Sequence, residues 1–256
     1  MLKFEIHLVD NCNLNCAGCS HFSPLAEKNE LIPEQFEKNL NKISKNILDN
    51  IKYVRLMGGE PLLNKYIKDI IKISRKYFKN ANIEIVTNGI LLSKMPIDFY
   101  YVCKKNNINI NVTYYNLNID LSYIFNIIQD YGINIYGNIL DNHDNKYFYH
   151  YPINLEGTEN YEENYINCWC IKDWTCVQLV ETKLYCCNIG AYIKYFNKYA
   201  KSNIIDNEYL DLSKINNYSE IEQWHKIPKQ ICKYCNRNNI KTVLWKKSNK
   251  NINEWL

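Results

Sequence analysis

Cys12, Cys16 and Cys19 stand in the stretch DNCNLNCAGCSHFSP with C-x3-C-x2-C spacing, and the next cysteine is Cys103. Free cysteines are often small buried hydrophobes. Three of them in eight positions, among Asp10, Asn11, Asn13, Asn15 and Ser20, suit ligand chemistry better. A structural zinc site takes four ligands, commonly from two C-x2-C knuckles. Three thiolates suit a [4Fe–4S] cluster that leaves one iron open to a non-protein ligand. A second set comes late: Cys168, Cys170, Cys176, Cys186, Cys187, Cys232 and Cys235 are seven of the eleven cysteines. On residue types alone this set is a zinc knuckle, a second cluster or an assortment of buried thiols. Cys103 and Cys176 lie in apolar segments and read as core. His21 could act as a base or touch a substrate; a histidine hydrogen-bonded to backbone at a turn is an equally good reading. His150 and Tyr151 are similarly placed near the domain junction.

Strand-like runs cover Phe4–Val9, Tyr53–Met57, Asn82–Thr87, Ile108–Thr113 and Ile133–Tyr136. Between them, Pro33–Asn50 places Phe36, Leu40, Ile43 and Ile47 on one helical face, with Pro33 in the first turn. Asn64–Lys79 has the same period, and Ile97–Asn106 and Leu121–Tyr131 repeat it more weakly. Alternating strands and helices imply parallel strands with right-handed crossovers. The pattern stops near residue 150, so the expected domains are 1–155 and a cysteine-rich 156–256. The chain of 256 residues is 46% hydrophobic and 23% charged, which indicates a globular protein with a sizeable core. A net charge of +4 spread along the chain gives no nucleic-acid footprint. No stretch resembles a signal peptide or a membrane span, so the expected home is the reducing cytoplasm, where disulfides are rare.

The cysteine triplet directly after the first strand resembles the signature of the radical S-adenosylmethionine (SAM) superfamily. MGGEP, with Gly58, Gly59, Glu60 and Pro61, is similar to that family's GGEP motif. VTNGILL carries Asn88 in a segment similar to its TNG turn, and Thr113 in NVTYY falls where many members place a Ser or Thr against SAM. Each motif ends a strand, the usual site-bearing face of a barrel. The implied fold is α/β: a partial (β/α)6 TIM-like barrel with a small C-terminal α+β domain. One departure is Gly18, since members usually carry an aromatic residue just before the third cysteine. Adenine packing then falls to a neighbour such as Phe22.

The late cysteines resemble the twitch or SPASM appendage, which holds an auxiliary [4Fe–4S] cluster, and with that context iron–sulfur is favoured over zinc. The resemblance implies Cys170, Cys186, Cys232 and Cys235 as ligands, with Cys168 and Cys187 as alternates. Thr182 replaces the usual hairpin glycine. The layout is similar to that of short twitch enzymes of the butirosin aminocyclitol dehydrogenase type, which oxidise a substrate alcohol. It implies reductive cleavage of SAM to a 5′-deoxyadenosyl radical, hydrogen abstraction from a small polyol, sugar or amino-sugar, and an external flavodoxin- or ferredoxin-type donor. Two other readings are modification of a ribosomal peptide (thioether, epimerisation or decarboxylation) and an activase or electron-transfer protein acting on a partner protein. Neither a nucleic acid nor a membrane is expected as partner.

Overall fold

The computed structural model describes residues 1–115, 121–137 and 147–256. The chain begins with β1 (Lys3–Val9), α1 (Pro33–Leu40), α2 (Lys45–Asn50), β2 (Tyr53–Gly58), α3 (Ile67–Tyr77) and β3 (Asn82–Thr87). It continues with α4 (Ile97–Lys105), β4 (Ile108–Val112), α5 (Leu121–Tyr131), β5 (Ile135–Gly137) and β6 (Tyr147–His150). Then come α6 (Tyr161–Ile166), α7 (Trp169–Lys172), β7 (Cys176–Val180), β8 (Lys183–Tyr185) and α8 (Asn188–Ala200). The last elements are β9 (Leu210–Asp211), α9 (Tyr218–His225) and β10 (Lys241–Leu244).

An eight-stranded sheet runs β5-β4-β3-β2-β1-β7-β8-β9, parallel from β5 through β7 and antiparallel beyond. This is the α/β, partial TIM-like architecture expected. The sheet crosses the expected domain boundary without interruption: β7 pairs with β1, register Phe4↔Val177, and extends the sheet into the hairpin with β8. β6 and β10 form a separate antiparallel pair. The single helix expected over Pro33–Asn50 is two helices. The Ser44 side chain accepts from the Ile47 N–H and so starts a second one, while Phe36, Leu40, Ile43 and Ile47 all stay buried.

Parallel strands covered on both faces normally read as continuous apolar runs. Here only one face does. Phe4, Ile6 and Leu8 of β1 face the helices, while the opposite face carries Glu5 and His7. Register puts Gln178, Glu5, Arg55 and Glu84 in one row across β7, β1, β2 and β3. Arg55 bonds both flanking carboxylates, with Nε donating to Glu84 at 2.7 Å, while Gln178 donates to Glu5 and Tyr136 to Glu84. Burial pushes the Glu5 carboxyl up, but Arg55 and the Gln178 hydrogen bond hold it below its ordinary value. Among the described residues no helix is long and apolar enough to cross a membrane.

Because Arg55 is the cation between two buried acids, Arg55→Met is expected to lower unfolding free energy by about 3–5 kcal/mol. Chemical denaturation checks this, and a loss below about 1 kcal/mol, the range of surface pairs, would contradict it.

Candidate functional site

The cysteine loop leaves the C-terminal end of β1 and is held by the two turns beside it. Gly59 N–H donates to the Val9 carbonyl at 2.9 Å and Glu60 N–H to the Asn11 carbonyl at 3.2 Å. A Cβ on Gly59 would lie 2.1 Å from the Asn11 carbonyl oxygen, and one on Gly58, whose φ is +133°, 2.1 Å from that of Val9. The glycines are therefore required by the backbone entering the loop, a reason the motif alone does not disclose.

Glu60 is fully buried; it accepts from Leu62 N–H at 3.0 Å, Thr87 Oγ1 at 2.7 Å and Asn88 N–H at 2.9 Å. It thus fastens the end of β2 to the end of β3, and Pro61 opens the short 3-10 turn that follows. Burial outweighs those donors and pushes the Glu60 carboxyl up to about 7. Asn88 reaches back, its Nδ2 donating to Asn13 Oδ1 at 2.8 Å and lying 3.8 Å from Cys12 Sγ. Thr113 N–H donates to the Thr87 carbonyl at 2.9 Å, so the ends of β3 and β4 are tied as well. Gly59, Glu60 and Asn88 thus bond the residues that enter and form the cysteine loop, and Thr113 joins them through Thr87.

Leu14 N–H donates to Cys12 Sγ at 3.4 Å and Trp245 Nε1 to Cys16 Sγ at 3.0 Å. Burial pushes the Cys12 thiol up to about 11 and Cys16 to about 12, and the charges raising them further are Glu60 and neighbouring thiols. Thiolates here need a cation to offset burial, which is what an iron cluster supplies. Among the described residues no three His, Cys, Asp or Glu side chains are placed to hold a single metal ion, so the fit rests on the donor set. Three thiols, with N–H groups aimed at two of the sulfurs, fit a cluster with one open iron.

Residues 6–123 match the family model for the Radical SAM superfamily. The chain carries a radical SAM domain. Curated relatives similar to it include the GTP 3′,8-cyclase of Helicobacter pylori, 34% identical over 96 residues, which are 37% of this chain and 29% of that one. The probable GTP 3′,8-cyclase of Thermoplasma volcanium is 34% identical over 113 residues, 44% of this chain and 32% of that one. The chain therefore spans less than a third of the length of these relatives. Among solved structures, BtrN in complex with AdoMet and 2-DOIA matches 93% of this chain and 94% of its own, with a TM-score of 0.52 and 14% identity. That likeness shows the fold, and it extends beyond the radical SAM domain.

A cavity of about 300 Å³ is lined both by the polar row of the sheet, in part within the radical SAM domain, and by the late cysteines outside it. Glu5, His21, Arg55 and Gln178 line one side; Cys168, Cys170, Cys186, Cys187, Cys232 and Cys235 line the other. Asn164 of α6 holds the C-x2-C loop, donating to the carbonyls of Cys232 at 3.0 Å and Cys235 at 2.8 Å. Cys168, Cys187, Cys232 and Cys235 each lie within electrostatic reach of the other three. Cys170 is paired with Cys168 by a hydrogen bond, which pulls the Cys168 thiol down and pushes Cys170 up. Cys186, 1% exposed, is hydrogen-bonded to Cys187 and Cys232 within a second apolar core, separate from the sheet core and built around Phe22, Ile153, Ile193, Phe196 and Trp255.

Cys103 is buried in α4, and Cys176 is buried beside Arg55 at the cavity wall. Tyr151 lines the cavity with its hydroxyl buried and unpartnered. His150 lies elsewhere, with Nε2 2.8 Å from the Glu254 carbonyl. Phe22 is not available to an adenine: it is 1% exposed and packs on Phe196 at 5.7 Å in the second core. Its φ of +56° turns the chain inward after the loop, which spacing could not reveal. Glu5, Arg55 and Gln178 were missed by motif reading. Their signal was polar residues at alternate positions of strands covered on both faces.

His21 sits at the end of a buried chain of rings. His7 Nδ1 is 2.8 Å from Asp10 Oδ1 and His7 Nε2 is 2.8 Å from His21 Nδ1. Burial raises Asp10, but His7, Tyr195 and Asn29 bring it down to about 2, so it accepts the Nδ1 proton of His7. His7 Nε2 then accepts from His21 Nδ1–H, which leaves the lone pair of His21 on Nε2. Burial pulls His21 down to about 3 and keeps it neutral.

Two outcomes test the loop. Gly59→Ala is expected to lower iron incorporation after anaerobic reconstitution, because the added carbon strikes the Asn11 backbone; wild-type iron content would refute this. Glu60 favours its protonated form, so its contribution is full below the ordinary value of 4.5 and lost as pH rises through about 7. Relative to Glu60→Gln, wild-type stability should fall by up to about 3 kcal/mol across that window, read by denaturation at stepped pH. Parallel pH profiles would contradict it.

Proposed function

We propose that this protein is a radical SAM oxidoreductase that oxidises a hydroxyl-bearing carbon of a small polyol, sugar or amino-sugar. Its second [4Fe–4S] cluster would be held by Cys168, Cys187, Cys232 and Cys235. The observation that carries the reading is the cavity between the polar row and the late thiols. Its polar wall suits hydroxyl and amine groups: Glu5 accepts, Arg55 donates, and the buried Oε1 of Gln178 has no partner. The choice of Cys168 and Cys187 over Cys170 and Cys186 follows from mutual reach, since the former pair faces both cysteines of the C-x2-C loop.

When bound, SAM and the two clusters supply the one-electron chemistry that removes a hydrogen atom and then an electron from the substrate carbon. The chain supplies position and a proton acceptor. Glu5, Arg55 and Gln178 orient the polyol by its hydroxyls, and the thiol-lined wall lies next to the carbon that gives up its electron. As the electron leaves, the hydroxyl becomes strongly acidic, so its proton passes even to the weakly basic Nε2 of neutral His21, and the His7–Asp10 pair steadies the imidazolium formed. Alcohol thus becomes carbonyl, with a hydrogen atom, an electron and a proton accounted for. An external one-electron donor of flavodoxin or ferredoxin type is part of the same proposal. BtrN, whose fold this chain shares, was crystallised with AdoMet and 2-DOIA, which lends support for SAM and a small substrate.

Reduced anaerobically with SAM and a panel of carbon-deuterated polyols and amino-sugars, the protein is expected to return deuterium in 5′-deoxyadenosine from at least one. Label arriving only from deuterated peptides would overturn the substrate class. With a polyol that transfers label, His21→Gln should keep 5′-deoxyadenosine formation and lower oxidised product by about 10²-fold or more. Undiminished product would remove His21 as the base.

A further inference from the structure

The last residues of the described chain strap the cysteine loop. Beyond β10, Cys16 bridges to Lys247 in antiparallel fashion, Ala17 N–H donates to the Lys246 carbonyl at 2.9 Å, and Ser248 N–H donates to the Asn15 carbonyl at 2.7 Å. Trp255, 1% exposed, donates from Nε1 to the Cys19 carbonyl at 2.9 Å. The strap also explains Gly18. Its φ is +71°, and a Cβ there would meet the Glu254 carbonyl oxygen at 2.6 Å and the His150 ring at 2.7 Å. An aromatic side chain before Cys19 has no room because the strap and His150 already occupy the space.

The strap brings an aromatic residue of its own. Trp245 Nε1 donates to Cys16 Sγ at 3.0 Å. Its ring packs against Tyr115, with centroids 6.3 Å apart and planes at 33°. Tyr115 follows β4 and lies within electrostatic reach of Cys12, Cys16 and Cys19. The two rings therefore border the thiols from β4 and from the strap.

We propose that Trp245 takes over what Gly18 cannot provide: its indole N–H positions the Cys16 thiolate, and its ring, with Tyr115, forms the wall against which the adenine of SAM packs. This rests on the reading of the triplet as a SAM-binding cluster site. An N–H donor to a cluster sulfur stabilises the more negative, reduced state. A flat aromatic face binds a purine by stacking, with little demand on hydrogen bonding.

Two variants separate the roles. Trp245→Phe keeps a ring and removes the donor, so the midpoint potential of the triplet cluster, followed by its EPR signal, should move negative while the SAM dissociation constant stays within about twofold of wild type. Trp245→Ala removes both, and SAM binding by anaerobic equilibrium dialysis should weaken about tenfold. An unchanged potential in Trp245→Phe, or unchanged SAM affinity in Trp245→Ala, overturns the proposal. Should the alanine variant not fold, the potential of the phenylalanine variant decides alone. Iron-loaded wild type that fails to bind SAM overturns the underlying reading and this proposal with it.

Discussion

The backbone of residues 9–11 is the support on which the site is built. It runs so close to Gly58 and Gly59 that no side chain fits between, and it accepts hydrogen bonds from Gly59 and Glu60. Glu60 passes that anchorage to Thr87 and Asn88, and Asn88 returns it to Asn13 inside the cysteine loop. The ends of β1, β2 and β3 thus form one hydrogen-bonded ring beneath the thiols. A buried carboxyl is costly in isolation; three donors make this one a joint.

The same sheet sets the second half of the site. β7 pairs with β1, so the β7–β8 hairpin leading to Cys186 and Cys187 lies alongside the strand that ends in the first cysteine loop. That pairing also aligns Gln178 with Glu5 and completes the polar wall of the cavity. The C-terminal segment closes the arrangement from the other side, through backbone bonds to Asn15 and Ala17 and the indoles of Trp245 and Trp255. The polar row, His21 and the late thiols therefore line one small cavity, next to the loop that carries the triplet. The radical SAM domain forms only part of that enclosure.

How much was legible in the sequence depended on the range of the interaction. β1 to β5 and their helices showed in alternation and in the 3.6-residue period, because those signals arise from burial of neighbouring residues. The break after Leu40 was hidden, since the same apolar face continues through Ile43 and Ile47 and only the Ser44 cap marks it. The β7–β1 pairing joins residues about 170 positions apart, and nothing in either strand names its partner. The strap was invisible because its bonds to Asn15 and Ala17 use backbone atoms, which any residue supplies. Phe22 shows the reverse error: proximity in sequence to the thiols suggested a ligand contact, while its backbone turns the ring into the second core.

The central claim is that the thiols of the first loop and the late thiols that line the cavity each carry an iron cluster. Iron and sulfide counted per chain after anaerobic reconstitution, alongside Mössbauer spectra of wild type and the Cys12→Ala/Cys16→Ala/Cys19→Ala variant, test it most directly. Two clusters predict about eight iron and eight sulfide in wild type and about four of each in the variant, all in cubane form. About four iron in wild type, with stoichiometric zinc or none and no cluster left in the variant, would contradict it.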